Sequence, residues 1–138
     1  MLDSNASVPG VLVVSRFRVP SDQVDAFGDM ARRAIEVLGA CNGFIDGAIG
    51  QSTDDLELRT IATRWTNIGA YRRSLSSFDV RVTAIPLLST AIDEPSSYEL
   101  VHVRTTEGIV EAPSGLAADS EVTRLGQAAG PDIPGVRT

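Results

Sequence analysis

Residues 56–71 read LELRTIATRWTNIGAY, and two periodicities meet inside them. From Leu56 to Trp65 the side chains alternate, with Leu56, Leu58, Thr60 and Ala62 on one face and Ile61, Thr63 and Trp65 on the other. Alternation in a run rich in β-branched residues describes a strand with two different faces. Asn67 then offers a capping side chain for a short helix through Leu75.

Before this strand, Ser52 to Asp55 is the polar loop of a hairpin that leads back to a glycine-containing strand, Phe44 to Gln51 (FIDGAIGQ). Gly39 and the pair Asn42-Gly43 stop a preceding helix. Its apolar positions, Val24, Phe27, Met30 or Ala31, Ala34, Ile35 and Leu38, recur at about 3.6 residues per turn. Ser21 is its expected cap, and Val11 to Val19 before it is the first strand, closed by Pro20. Beyond residue 71 a second helical stretch runs from Ser77 to Ile85, where Pro86 is expected to interrupt it. Tyr98 to Arg104 (YELVHVR) is the expected last strand. The order is βαββαβ, a ferredoxin-like α+β fold with an antiparallel sheet and its helices on one face. The other face lies bare in a core of roughly 100 residues, which predicts a homodimer.

Of the 138 residues, 12 are Arg, none is Lys, 18 are acidic, one is His and one is Cys, for a net charge of −6. Without Lys there is no lysine Schiff base and no P-loop lysine. One His and one Cys exclude an intrachain disulfide and a metal site of several nitrogen and sulfur ligands, so no metal is expected. The glycines Gly43, Gly47 and Gly50 make no dinucleotide fingerprint. The acidic balance speaks against nucleic acid as a partner. The apolar run Val8 to Val14 contains Pro9 and Gly10 and is followed by Arg16 and Arg18, so neither a signal peptide nor a membrane span is expected. A cytoplasmic address with a reduced Cys41 follows. Three segments are expected: a flexible N-terminus (1–9), a folded domain (10–104), and a disordered acidic tail (105–138) with five Gly, five Ala, three Pro and no aromatic residue.

Three pieces taken in order carry a likeness: Val19-Pro20 after the first strand, Gly43-Phe44 after the first helix, and Trp65-Thr66-Asn67-Ile68-Gly69-Ala70-Tyr71. Over residues 10–104 the chain resembles the antibiotic biosynthesis monooxygenase family of dimeric α+β barrel proteins. The resemblance implies oxidation of an electron-rich phenol or anthrone by dioxygen with no cofactor, the substrate anion being the reductant. It implies an apolar pocket with Trp65 and Tyr71 as its aromatic pair, Tyr71 being the catalytic donor. It also puts Ile61, Thr63, Ser15 and Ser74 at that pocket. Ile61 and Ile85 stand where the anthrone-oxidising branch has Asn and Arg, and Arg81 is the nearest replacement for that Arg. Ser74 and Ser15 stand where the haem-degrading branch has its axial His and its Asn.

Each of these residues has a plainer reading. Trp65 also fits as a core aromatic, and Tyr71 as simple packing. Arg16, Arg18, Arg59 and Arg64 serve either as an anion site inside the barrel or as ion pairs on its surface. Arg72-Arg73 reads as a solvated helical face, His102 as a strand histidine and Cys41 as structural. Two functions stay open: a monooxygenase acting on a small apolar or aromatic molecule, and a non-catalytic dimer that binds such a molecule or a protein partner.

Overall fold

The computed structural model describes residues 9–112. All but Pro9 of the expected flexible N-terminus (1–9), and residues 113–138 of the expected tail (105–138), lie outside the described residues. The first strand is β1 (Val11–Arg18). Ser21 does not cap the helix that follows. It lies in a 3-10 turn (Ser21–Gln23), and neither that turn nor α1 (Val24–Gly39) has a side-chain cap. The Pro20 carbonyl accepts from the Gln23 N–H at 2.9 Å, so a backbone turn replaces the expected hydroxyl. Helix α1 buries Phe27, Ala31, Ala34 and Leu38, one stripe at helical spacing. The Phe27 ring packs on Phe17 of β1 with centroids 5.1 Å apart.

Strands β2 (Phe44–Gln51) and β3 (Leu58–Trp65) form the hairpin. Its loop is longer than expected. The Ser52 hydroxyl accepts from the N–H groups of Asp54 and Asp55 at 3.1 and 3.0 Å, leaving Leu56 outside the strand and 67% exposed. Three short helices follow: α2 (Ile68–Ser74), α3 (Phe78–Thr83) and α4 (Ile85–Leu88). Asn67 caps α2 as expected, its side-chain oxygen 2.8 Å from the Ala70 nitrogen. The helical stretch breaks at Ala84, two residues before Pro86, which has no N–H to carry α3 onward. Pro86 sits in the first turn of α4, where an N–H would have no partner within the helix.

Strand β4 (Ser97–Glu99) pairs with β1 and completes a sheet in the order β2-β3-β1-β4, its neighbours antiparallel. The expected strand from Tyr98 to Arg104 is two strands. Glu99 faces Val11, the first residue of β1, and the pairing ends one step later, where the Leu100 N–H donates to the Gly10 carbonyl at 2.9 Å. Strand β5 (His102–Thr105) instead pairs with β6 (Gly108–Glu111) in a sheet of their own. Residues 105–111 therefore belong to a hairpin, not to the tail. His102 is consequently not on a strand with Tyr98; its Nδ1 lies 2.7 Å from a carboxylate oxygen of Glu111 across that hairpin.

Gly10–Leu100 forms one compact unit, and the hairpin belongs to a second. The hydrophobic core lies wholly within the first, between the helices and the sheet face that carries Val11, Val13, Phe17, Ile61 and Trp65. The opposite sheet face carries Leu12, Val14, Ala48, Ala62 and Tyr98, the last 50% exposed. No helix among the described residues is long and apolar enough to cross a membrane.

Candidate functional site

Trp65 ends β3 with no exposed surface. The Phe44 ring meets its indole edge-on at 5.3 Å, and Tyr71, from the second turn of α2, packs on it at 5.6 Å with the rings tilted by 58°. The close approach of β2, β3 and α2 depends on Gly43. That residue has φ of +89°, and a Cβ there would overlap the Ala70 side chain and come within 2.9 Å of the Thr66 hydroxyl. Its carbonyl accepts from the Thr66 N–H at 2.8 Å, which fixes the strand end under the helix.

The register of β1 on β3 sets Val11 across from Trp65, Val13 across from Thr63 and Ser15 across from Ile61. These side chains share the helix-covered face. Ile61 and Thr63 are buried and Ser15 is half-buried. The indole Nε1–H donates to the Thr63 hydroxyl at 2.8 Å, so a fully buried donor is satisfied within its own strand. Tyr71 is half-buried, and its hydroxyl makes no hydrogen bond among the described residues. Burial pushes its phenol above the ordinary tyrosine range, which leaves the proton in place as a donor at neutral pH. Ser74, buried on the same helix, donates to the Tyr71 carbonyl at 2.6 Å. Five of the six expected pocket residues thus form a continuous group on the β1–β3 face and its covering ring, and Ser74 is joined to it through the backbone.

A cavity of about 530 Å³ opens on another side of α2, between it and the last turns of α1. Ala70, Arg73 and Ser74 line it from α2, and Glu36, Val37 and Cys41 from the α1 side. Among the expected pocket residues, Ser74 alone borders it. Ser77 and Asp79 contribute from the start of α3. The Cys41 thiol donates to the Val37 carbonyl at 3.4 Å. A second cavity, about 600 Å³, lies against the first half of α1 and is lined by Asp25, Asp29, Arg32 and Arg59; of the candidate residues only Arg59 reaches it, and none of the six expected at the aromatic pocket does. Sequence reasoning missed Arg73. Its spacing of three from Ala70 was the available signal, but which helix faces that side is a matter of tertiary packing.

The strand arginines resolve as partners of other groups. Arg16 grips Glu94 through two bonds of 2.7 Å, Arg64 grips Asp46 at 3.0 and 2.9 Å, and Arg18 meets Asp55 at 2.7 Å. Each guanidinium holds its carboxyl below the usual carboxylate range. Arg59 donates twice to the Leu56 carbonyl. Among the described residues no three His, Cys, Asp or Glu side chains gather as metal ligands.

A model of the family described as antibiotic biosynthesis monooxygenase matches residues 10–84. The chain belongs to this family. The matched span runs from the start of β1 through α3, so it takes in the aromatic group and the cavity beside it. Solved structures agree in fold. A conserved protein from Methanosarcina mazei Go1 is 23% identical with a TM-score of 0.59, covering 71% of this chain and 98% of its own. SnoaB, a cofactor-independent oxygenase from Streptomyces nogalater, is 21% identical with a TM-score of 0.57, over 71% of this chain and 96% of that one. PA3566 from Pseudomonas aeruginosa is 13% identical with a TM-score of 0.52, over 68% and 94%. No curated protein matches the chain.

Proposed function

We propose that this family member is a cofactor-independent monooxygenase that oxidises a small aromatic or polyketide-like substrate with dioxygen, acting as a cytoplasmic homodimer. The observation that carries the reading is Tyr71: a half-buried phenol, protonated at neutral pH, packed at a tilt against Trp65 and without a protein acceptor for its hydroxyl among the described residues. In such a reaction an electron-rich ring carbon bearing two hydrogens takes one oxygen atom as a carbonyl. The second oxygen leaves as water with those two hydrogens. The electrons come from the substrate once it has lost a proton, and negative charge then builds on oxygen. A fixed O–H donor in a water-poor site stabilises that charge more than water would. Trp65 backs the Tyr71 ring and Ser74 ties down the backbone of the same helical turn, which limits where the hydroxyl can go.

Oxygen uptake by the metal-free protein with a panel of anthrones, quinols and phenols tests the proposal. Tyr71→Phe keeps the ring and removes the donor, with an expected loss on the order of 10²-fold in turnover. Full activity in both Tyr71→Phe and Trp65→Phe would exclude the aromatic pair from the chemistry.

A non-catalytic binding module is the second reading, and one observation favours it. Ile61, Thr63 and Trp65 are close-packed, with the indole N–H already satisfied, so these three side chains supply neither open volume nor a free polar group.

A further inference from the structure

We infer that the cavity between α1 and α2 binds a hydroxylated aromatic carboxylic acid, with the carboxylate on Arg73 and the hydroxyl toward Glu36 and Asp79. As a binding site this does not rest on the oxygenase reading, whose Tyr71 does not border the cavity. Four strand arginines that could have served as anion sites are committed to Glu94, Asp55, Asp46 and the Leu56 carbonyl. Arg73 has no acidic partner and no side-chain hydrogen bond among the described residues, and it borders the cavity. Its guanidinium lies over Gly69, where a Cβ would come within 3.2 Å of one terminal nitrogen. The bare glycine four residues earlier therefore gives the head group a seat on its own helix. A planar fork of N–H donors held there suits the two oxygens of a carboxylate. Arg73 is solvent-exposed at the rim of this open cavity; Arg81, the replacement expected from sequence, is likewise exposed but does not line it.

The remaining lining sets the rest of the ligand. Val37, Ala70 and the Cys41 side chain provide an apolar wall for a ring. A volume of about 530 Å³ falls within the ~300–1,000 Å³ of small-molecule sites. Glu36 and Asp79 have no cationic partner among the described residues, and as carboxylates they only accept hydrogen bonds. They repel a second negative charge and reward a donor. A dicarboxylate or a phosphate is disfavoured on that count, and a single carboxylate on a ring that also carries a phenolic O–H fits both signs of charge.

Calorimetric titration of the full chain under anaerobic conditions, with a hydroxynaphthoate, its methyl ester and naphthol as probes, tests this. The acid is expected to bind at least tenfold more tightly than the ester, a difference of about 1.4 kcal/mol. Arg73→Gln abolishes that preference, Arg73→Lys keeps part of it, and Arg81→Gln leaves it intact. Circular dichroism verifies that each variant is folded. The bound acid also slows alkylation of Cys41 by N-ethylmaleimide several-fold. Equal affinity for acid and ester, absence of binding by all three probes, a preference that survives in Arg73→Gln, or unchanged Cys41 alkylation overturns the inference. Acid-selective binding without oxygen uptake sinks the oxygenase reading alone; oxygen uptake with no acid preference sinks this inference alone.

Discussion

The indole N–H of Trp65 is sealed from solvent, and its acceptor is the Thr63 hydroxyl two residues back on the same strand. Thr63→Val keeps the shape of the side chain and deletes the acceptor, so a buried donor is left with nothing to bind. Such an orphaned group costs about 1–3 kcal/mol. Chemical denaturation is expected to show a loss in that range; an unchanged midpoint would mean that the indole finds another acceptor. This pairing explains why a threonine stands among the apolar residues of that sheet face. Tyr71, a neighbour of the same indole, differs in having its polar end uncommitted among the described residues.

At the scale of elements, the tight turn at Gly43 joins α1 to β2 directly beneath α2. Gly43→Ala would force a side chain into left-handed backbone, at about 1–2 kcal/mol, and against Ala70, at about 1–3 kcal/mol more. A fall in melting temperature of well over 5 °C is expected, since about 1 kcal/mol moves a domain of this size by 4–8 °C. A second prediction belongs to the β2–β3 pair. Asp46, held by Arg64, has its carboxyl lowered on folding, so its contribution is present above the unfolded value of about 3.9 and disappears as pH falls through the lower folded value. Asp55 and Glu94 add the same sign. Melting temperature should therefore drop below about pH 4, and Asp46→Asn should remove part of that drop at low salt. The Asp46 side chain is 59% exposed, so screening holds the pair well under ~1 kcal/mol. No difference between wild type and variant across that range would assign the acid sensitivity to other carboxylates.

Elements of this kind were readable in sequence where the signal is local. The alternation that ends at Trp65 and the Asn67 cap are set by neighbours a few residues away, and both stand in the structure as read from Leu58 onward. The break after Glu99 was not readable, because YELVHVR alternates without interruption and the strand stops only beside the first residue of β1. The cavity beside Arg73 was hidden for a related reason. Arg73 is exposed, as its place on a solvated helical face predicts, and the open space next to it arises from tertiary packing that no local pattern encodes.

For the whole molecule, the sheet face opposite the helices is the surface on which the proposed homodimer rests. Val14 and Ala62 face each other near its centre, with Ala48 beside them, and the Arg64–Asp46 and Arg16–Glu94 pairs lie to either side. An apolar centre with charged groups around it is the pattern of a protein interface, and a stable one buries more than ~1,000 Å². Light scattering at micromolar concentration is expected to give a dimer mass, and Ala62→Asp a monomer. A monomeric wild type would overturn the homodimer. The same chain carries a built-in optical reporter. Trp65 is its only tryptophan, so all indole emission arises from one enclosed ring flanked by Phe44 and Tyr71. That emission should be blue-shifted and resist collisional quenching by iodide. Excitation at the red edge of its absorption would then follow events at the aromatic group without a label and without a background to subtract.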